Sequence, residues 1–501
     1  MKRIFLGLMI TGVVFGQPDH RLSMNGNLGF GVRYIDINKD VDEYPKDFSY
    51  TVELSGVGKL DKNDVGGILN FSYDKLNKTD VQNAYLSLDL PSGKLEGGDV
   101  LLDISDFTIK NSTIRGVKGD FEDKGVLFAY GVSKEKKEQG STTSGQYRQW
   151  LGIARVSSVF RDNTWGITYI QAEDDPASVA LSNTKPIINK VFEGDIVIPL
   201  SRALSFKSNL AFSEYDKDKS NREELYKNKA FLSGFSLNFS KFFFEGIYQY
   251  IEPNFYTAGN IGCDVNWEGI KLNTKYIPSD KPVEFNVNIE SYDDNPSDRE
   301  VNTTKTRIYE IKSEITPRQF PEVSIDYKNT KEKDNTISPL RIANEFSFGI
   351  SCGIKDIDTS FNYSRSSSDN KKDNEYDSLL SSYSLNASGP LTKKVSFSSS
   401  ISFITSEAGA GAQKTEQDSN FYLLSASFQP TQSLRITPSY DYSKTKEKTG
   451  TILEENITSF SFAYSLSVKY QINMEYKNID HKEKDNDYRG DSMGIKMSCL
   501  F

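Results

Sequence analysis

The chain has 501 residues, with 60 Lys and Arg against 69 Asp and Glu for a formal net charge of -9, and is only 37% hydrophobic although 12% aromatic. Beyond the first 16 residues no apolar run approaches the ~20 residues that a spanning helix needs, which excludes a helical membrane protein, and no strongly basic stretch marks a nucleic-acid binder. Length alone suggests roughly three soluble domains, but 27 Tyr and 31 Phe beside 3 Trp, 3 Cys and 2 His point to apolar residues spread over one thin face of a sheet.

At the N-terminus, Lys2 and Arg3 precede a short apolar stretch, Ile4 to Phe15, and Val14-Phe15-Gly16 occupies the positions a signal peptidase reads. This predicts a secretory signal over residues 1–16, cleaved near Gly16–Gln17. Twelve apolar residues are too few to span a bilayer, and the lack of a Cys after them argues against a lipoprotein.

Further along come Gly97-Gly98-Asp99-Val100, Ser105-Asp106-Phe107 and Ile114-Arg115-Gly116-Val117. This segment of about 25 residues resembles part of the barrel of chaperone–usher pores. Those pores also carry a plug and periplasmic domains for which this chain leaves no room. The resemblance therefore implies a large barrel rather than pilus secretion.

From here to the end the chain alternates with a period of two. Leu204, Phe206, Leu210 and Phe212 oppose Ser205, Lys207, Asn209 and Ser213; Val283, Phe285, Val287 and Ile289 oppose Glu284, Asn286, Asn288 and Glu290; Leu434, Ile436, Pro438 and Tyr440 oppose Arg435, Thr437, Ser439 and Asp441. That is the period of a half-wet strand, and no convincing amphipathic helix interrupts it.

Short turns such as Pro91-Ser92, Ser201-Arg202, Ser240-Lys241, Pro317 to Pro321, Pro390 to Lys393 and Pro430 to Ser433 alternate with long charged loops. The long ones are Asn38 to Asp47, Lys134 to Gly145, Asp174 to Asn189, Asp216 to Lys227, Asp293 to Thr303, Lys331 to Pro339, Ser366 to Asp377, Ser406 to Asp418, Lys446 to Glu454 and His481 to Asp487. Long and short connections alternate in an up-and-down meander whose rims face different compartments, as in transmembrane β-barrels.

Marking every plausible strand gives about 27, an odd number that puts long loops on both rims. Reading Gly259 to Ile277 as one long strand with a bulge at Glu268-Gly269 restores parity at about 26. The expected fold is thus an all-β, closed antiparallel up-and-down barrel of about 24–26 strands over residues 17–501, with short periplasmic turns and long extracellular loops. Closure follows from solvent: in lipid an open sheet leaves two edges of unsatisfied backbone groups. A solenoid would show a repeat, and none is present.

Cys263, Cys352 and Cys499 each sit on an apolar strand face, so they are expected to act as small hydrophobes, without a disulfide or metal. The chain ends Ile495-Lys496-Met497-Ser498-Cys499-Leu500-Phe501. A terminal Phe501 preceded at alternate positions by Cys499, Met497 and Ile495 resembles the last strand of Gram-negative outer-membrane barrels. In that family it is the signal read by the barrel-assembly machinery, which the resemblance makes a partner.

Catalysis finds little support. Of the two histidines, His20 adjoins the signal, and Asp480-His481 runs into the charged stretch Lys482-Glu483-Lys484-Asp485, so a solvated loop and no enzyme are expected. Asp216-Lys217-Asp218-Lys219-Ser220-Asn221 opens like a calcium loop, but Lys227 stands where the closing acid should be; Asp485, Asp487 and Gly490 meet the same objection at Lys496. No nucleotide fingerprint or cofactor motif occurs.

If the apolar face meets lipid, the other lines the lumen with Glu245, Gln249, Lys271, Lys275, Glu284, Asn286, Asn288, Glu290, Arg435 and Asp441. A wet, mixed-charge interior favours a porin-like path for small polar solutes across the outer membrane. Two alternatives are a translocon or scaffold whose lumen holds a partner protein, and an adhesin-like barrel acting through its loops. Outer-membrane lipid and lipopolysaccharide are the surrounding partners. A barrel this wide must be narrowed, and Ser366 to Asp377 or Ser406 to Asp418 are the loops expected to fold inward.

Overall fold

A computed structural model describes residues 22–500 except 39–46, 61–62, 75–77, 138–144, 180–183, 220–224, 261–265, 279–281, 295–302, 318–320, 335–339, 371–376, 410–414, 448–451, 468–469 and 484–487. The strands of the first half are β1 (Leu22–Asn38), β2 (Asp47–Leu60), β3 (Asn63–Asp74), β4 (Lys78–Leu90), β5 (Gly93–Leu102), β6 (Ser112–Phe121), β7 (Val126–Lys134), β8 (Arg148–Phe160), β9 (Asn163–Asp175), β10 (Ile188–Pro199), β11 (Leu204–Asp216), β12 (Leu225–Phe239) and β13 (Phe242–Ile251). The second half holds β14 (Trp267–Tyr276), β15 (Val283–Asp294), β16 (Thr304–Ile315), β17 (Glu322–Asp334), β18 (Arg341–Ile354), β19 (Ile357–Asn370), β20 (Ser378–Thr392), β21 (Val395–Ala408), β22 (Thr415–Thr431), β23 (Leu434–Glu447), β24 (Ile452–Ser465), β25 (Tyr470–Glu483) and β26 (Tyr488–Leu500). Among the described residues the only helical pieces are two three-residue 3-10 turns, at Glu122–Lys124 and Pro176–Ser178.

Each strand pairs antiparallel with its neighbours in sequence, and β1 closes on β26 from Asn27↔Leu500 to Asn38↔Arg489. The protein is a closed 26-strand up-and-down barrel with no free edge. Most of the short turns and both described ends share one rim, and the longer connections lie on the other. One of these turns shows why they are tight: Arg161 and Asp162 both take positive φ (49° and 69°), the two-residue hairpin geometry whose twist matches the strands it joins.

The alternation sorts the faces. Phe192, Phe212, Phe285, Tyr309, Ile311 and Tyr327 are exposed on the outside of the wall, while their sequence neighbours turn inward. All these outward side chains would be costly in water and gain by burial in acyl chains.

The even count holds, but not by the route expected. Residues 259–277 are not one bulged strand. β14 begins at Trp267, and residues 252–260, which follow β13, fold back into the barrel. The strands also run further than expected at the outer rim: β19 reaches Asn370, β21 reaches Ala408, β22 starts at Thr415 and β25 continues through His481 to Glu483. Ser366 to Asn370 and Ser406 to Ala408 are therefore wall, held by ladder hydrogen bonds, rather than infolding loop. His481 is not in a solvated loop either; it sits in register with Tyr488, 3.7 Å from Glu455.

Residues 1–16, Cys263, Asp485, Asp487 and Phe501 lie outside the described residues. Ile495, Met497 and Cys499 lie in β26, opposite Met474, Ile472 and Tyr470. Cys352 lies in β18, its Sγ 3.1 Å from Thr359 Oγ1.

Candidate lumen constriction

Most of the buried apolar residues are concentrated in one sector. Val100, Leu102, Ile114, Ala129, Leu151, Ile153, Ile170, Ala172, Val191, Ala211, Ala230, Leu232 and Ile251 line the inside of β5 to β13, and Phe107, Ile109, Phe255 and Ala258 cover them. The covering residues come from two outer connections, 103–111 between β5 and β6 and the stretch 252–260 that follows β13. Both fold inward and meet, forming a clasp.

The clasp is joined through backbone as well as side chains. Ile109 and Gly259 form an isolated parallel bridge. Lys110 N–H donates to Gly259 O (3.3 Å), Ser112 Oγ donates to the same oxygen (2.6 Å), Thr257 Oγ1 donates to Thr108 O, and Asn260 Nδ2 donates to Asp106 O (2.6 Å). Phe107 meets Phe255 edge-on at 6.1 Å. A Cβ on Gly259 would stand 2.6 Å from Thr108 O, so only glycine lets the two backbones approach this closely.

The barrel wall grips the clasp at β10 and β11. Asn189 Nδ2 donates to Tyr256 O (2.8 Å) and its Oδ1 accepts from Ala258 N–H (3.0 Å), while Ser213 Oγ also donates to Tyr256 O (2.5 Å). Tyr256 stacks on Tyr215 at 4.2 Å. Glu193, wholly buried, accepts from Ser105 Oγ of the first loop and from Asn209 Nδ2 (2.7 Å) of the wall. Unpaired, these polar groups would carry a heavy desolvation penalty; paired, they fix the loops in one place. Tyr256 lies in the infolded connection rather than in a spanning strand. Burial, with smaller contributions from Tyr215 and Asp174, pushes its phenol up to about 12.

The strand leading into the first loop is bent to serve it. β4 and β5 pair only from Leu90↔Gly93 to Tyr85↔Gly98. At Gly98 (φ 95°) the two part, and Asp99 Oδ2 accepts the Ala84 N–H at 2.8 Å in place of a ladder partner. Asp99 is held in turn by Arg115 Nε at 2.8 Å. The Gly-Asp and Arg-Gly-Val pieces therefore do a local job here: they let β5 lean away from β4 toward the clasp.

The ten residues expected to line the lumen fall on β13, β14, β15 and β23, on the face opposite the exposed apolar side chains. Several are engaged with neighbours. Lys207 Nζ reaches Glu245 at 2.8 Å, Lys275 reaches Glu284 at 2.6 Å, Lys271 sits 5.3 Å over the Trp267 ring, and Asn286 and Asn288 donate to Glu284 (2.9 Å) and Glu290 (3.3 Å). Gln249 faces Gly269 and Leu232; Asp441 pairs in register with Leu423, and Arg435 with Ala463. The ladder continues beyond them through Lys312 with Glu310 (2.9 Å) and Asp326 (3.5 Å), and Lys328 with Glu345 (3.6 Å). Farther round, the inner wall turns to hydroxyls and amides: Ser364 with Ser382 (2.7 Å), Ser400 donating to Asn386 (2.6 Å), and Ser439 with Ser459 (2.7 Å).

The clasp was not legible as an infolded element, although a trace of it exists. Most long outer loops are charged, whereas 103–111 and 252–260 carry Ile104, Phe107, Ile109, Phe255 and Tyr256. Of the calcium-like stretch, Asp218 is engaged by Lys185 at 2.9 Å.

A closed antiparallel barrel of this size, with an apolar outer face and a largely polar inner one, has the fold of large transmembrane β-barrels. No family model and no curated protein matches the chain. Among solved structures it is similar to the siderophore receptor PirA from Pseudomonas aeruginosa (10% identity, 97% of this chain and 81% of that one, TM-score 0.47). It is also similar to the translocation pore of the P pilus usher PapC (12% identity, 96% and 99%, TM-score 0.37) and to OccK10 of Pseudomonas aeruginosa (11%, 62% and 93%, TM-score 0.36).

Proposed function

We propose that the protein is a porin-like channel of the Gram-negative outer membrane, passing small polar solutes through the part of the lumen that the clasp leaves uncovered. In this reading the chain is exported by its N-terminal signal and inserted through its last strand by the barrel-assembly machinery. It carries out no covalent chemistry. The observation that supports the channel best is solvent access on the inner wall of β16 to β18, outside the sector that the clasp covers. The side chains of Lys312 and Glu345 point inward yet keep 49% and 51% of their surface accessible. A packed interior would bury them, as Glu193 is buried on the other side.

The lining suits polar solutes of either charge. Its ion pairs are compensated within the wall, and the serine and asparagine sector offers donors and acceptors without a net field. Planar-bilayer recording of the purified, refolded chain tests the proposal: steady ohmic steps are expected. Electrical silence, with the barrel shown intact by heat-modifiable gel migration, would favour the scaffold filled by a partner protein.

A further inference from the structure

Where outer strand ends carry charges on the lipid-facing side, the barrel usually opposes plus to minus. On β10, β11 and β12 the register sets Lys190 against Glu214 and Glu214 against Lys227, and Lys229 lies 3.6 Å from Glu252. On β16 and β17 the rule is reversed. Lys305 stands directly opposite Lys333, and Arg307 directly opposite Lys331. All four are exposed, and they share the outward face with Tyr309, Ile311 and Tyr327, just above that apolar belt at the extracellular end. Their sequence neighbours Thr306 and Glu332 turn inward.

Like charges facing each other across a strand pair are destabilising. Only Lys305 has an acid in reach among the described residues, Asp293 at 2.7 Å, which leaves three positive charges on the patch. The connection over residues 295–303 adds Asp298, Arg299 and Glu300, a single net negative charge. An excess of cations therefore remains at the depth where outer-leaflet headgroups begin. A phosphate is the group that would reconcile the opposed cations, since Arg307 can take two of its oxygens while the lysines supply point charge from either side.

We infer that the outward face of β16 and β17 is a binding site for the phosphate groups of an outer-leaflet glycolipid, with Lys305, Arg307, Lys331 and Lys333 as its ligands. A membrane lipid is favoured over a free phosphate because the patch faces the bilayer, not the lumen or the open rim. The site is separate from the lumen, so it stands or falls apart from the channel.

Thermal stabilisation of the detergent-solubilised full-length protein by added bis-phosphorylated lipid A provides the test. The double variant Arg307→Gln/Lys331→Gln should need about tenfold more lipid A for half-maximal stabilisation. The double variant Lys190→Gln/Lys227→Gln, which removes the same charge from the self-compensated sector, should respond like the parent. Both should keep parental single-channel conductance, and if the first fails to fold, Lys305→Gln/Lys333→Gln carries the same expectation. Equal weakening in both pairs would reduce the effect to net charge and overturn the site. So would undiminished response in the β16–β17 variants, equal stabilisation by dephosphorylated lipid A, or inorganic phosphate acting at the same concentration as lipid A.

Discussion

The wall from β5 to β13 and the wall from β15 to β24 are built alike, from paired strands with apolar side chains outside, yet their inner faces have opposite fates. In the first, Ala129, Ala172, Ala211 and Ala230 are buried under Phe107, Ile109 and Phe255. In the second, the same inward positions hold Lys312, Glu345, Ser382, Ser400 and Ser459, each paired with a polar side chain of the wall. A strand does not decide by itself whether its inner face is dry. Small apolar residues accept a covering segment closely, whereas charged and hydroxyl side chains keep the space wet. Two connections of modest length thus convert a symmetrical cylinder into one with a packed side and an open side.

Removing the packed side should have the largest effect. Replacing residues 104–110 and 253–260 with short Gly-Ser connections is expected to raise single-channel conductance at least about twofold, because the bare width of a barrel this large far exceeds that of smaller porins. Unchanged conductance would mean that the clasp does not border the conducting path.

A subtler break keeps both loops but removes their anchor. Asn189→Leu leaves Tyr256 O short of one donor and Ala258 N–H without its acceptor. The clasp should loosen by about 2–5 kcal/mol, given the cost of unsatisfied buried groups. Limited proteolysis should then cut between β13 and β14 while heat-modifiable migration persists. Gly259→Val should act in the same direction by driving Thr108 away.

On the open side the expected response is electrical. Lys312→Glu places a third acid beside Glu310 and Asp326 and should shift the cation-to-anion permeability ratio by about twofold towards cations. Glu193→Gln on the packed side should leave the ratio unchanged. Reversal potentials in a salt gradient compare the two, and an equal response would erase the distinction between the walls.

The smallest effect concerns pH. Tyr256 titrates near 12 in the fold against an ordinary value near 10, so the folded clasp favours the neutral phenol. Its contribution is complete below pH 10 and declines as pH rises from there to about 12. Conductance should therefore increase reversibly over that interval, and Tyr256→Phe should abolish the increase.

Much of this architecture could be read from the residues in order. The alternation of Val283 to Glu290 or Leu434 to Asp441 names the face of each residue, because a strand's side chains must point to opposite sides. Closure follows once one face is assigned to lipid. Strand ends were less legible: Ser366 to Asn370 and His481 to Glu483 are polar enough to pass for loop, yet they continue the ladder because their neighbours do.

By itself, then, the amino-acid order determined the period, the two faces and the alternation of rims, all of which depend on residues a few positions apart. Tertiary structure alone decided that Ile109 meets Gly259, that Glu193 is sealed beneath Ser105, and that Arg307 confronts Lys331. These contacts join segments distant in sequence, and several run through backbone atoms that every residue shares. Their partners are set by barrel closure and strand register, which no local pattern encodes.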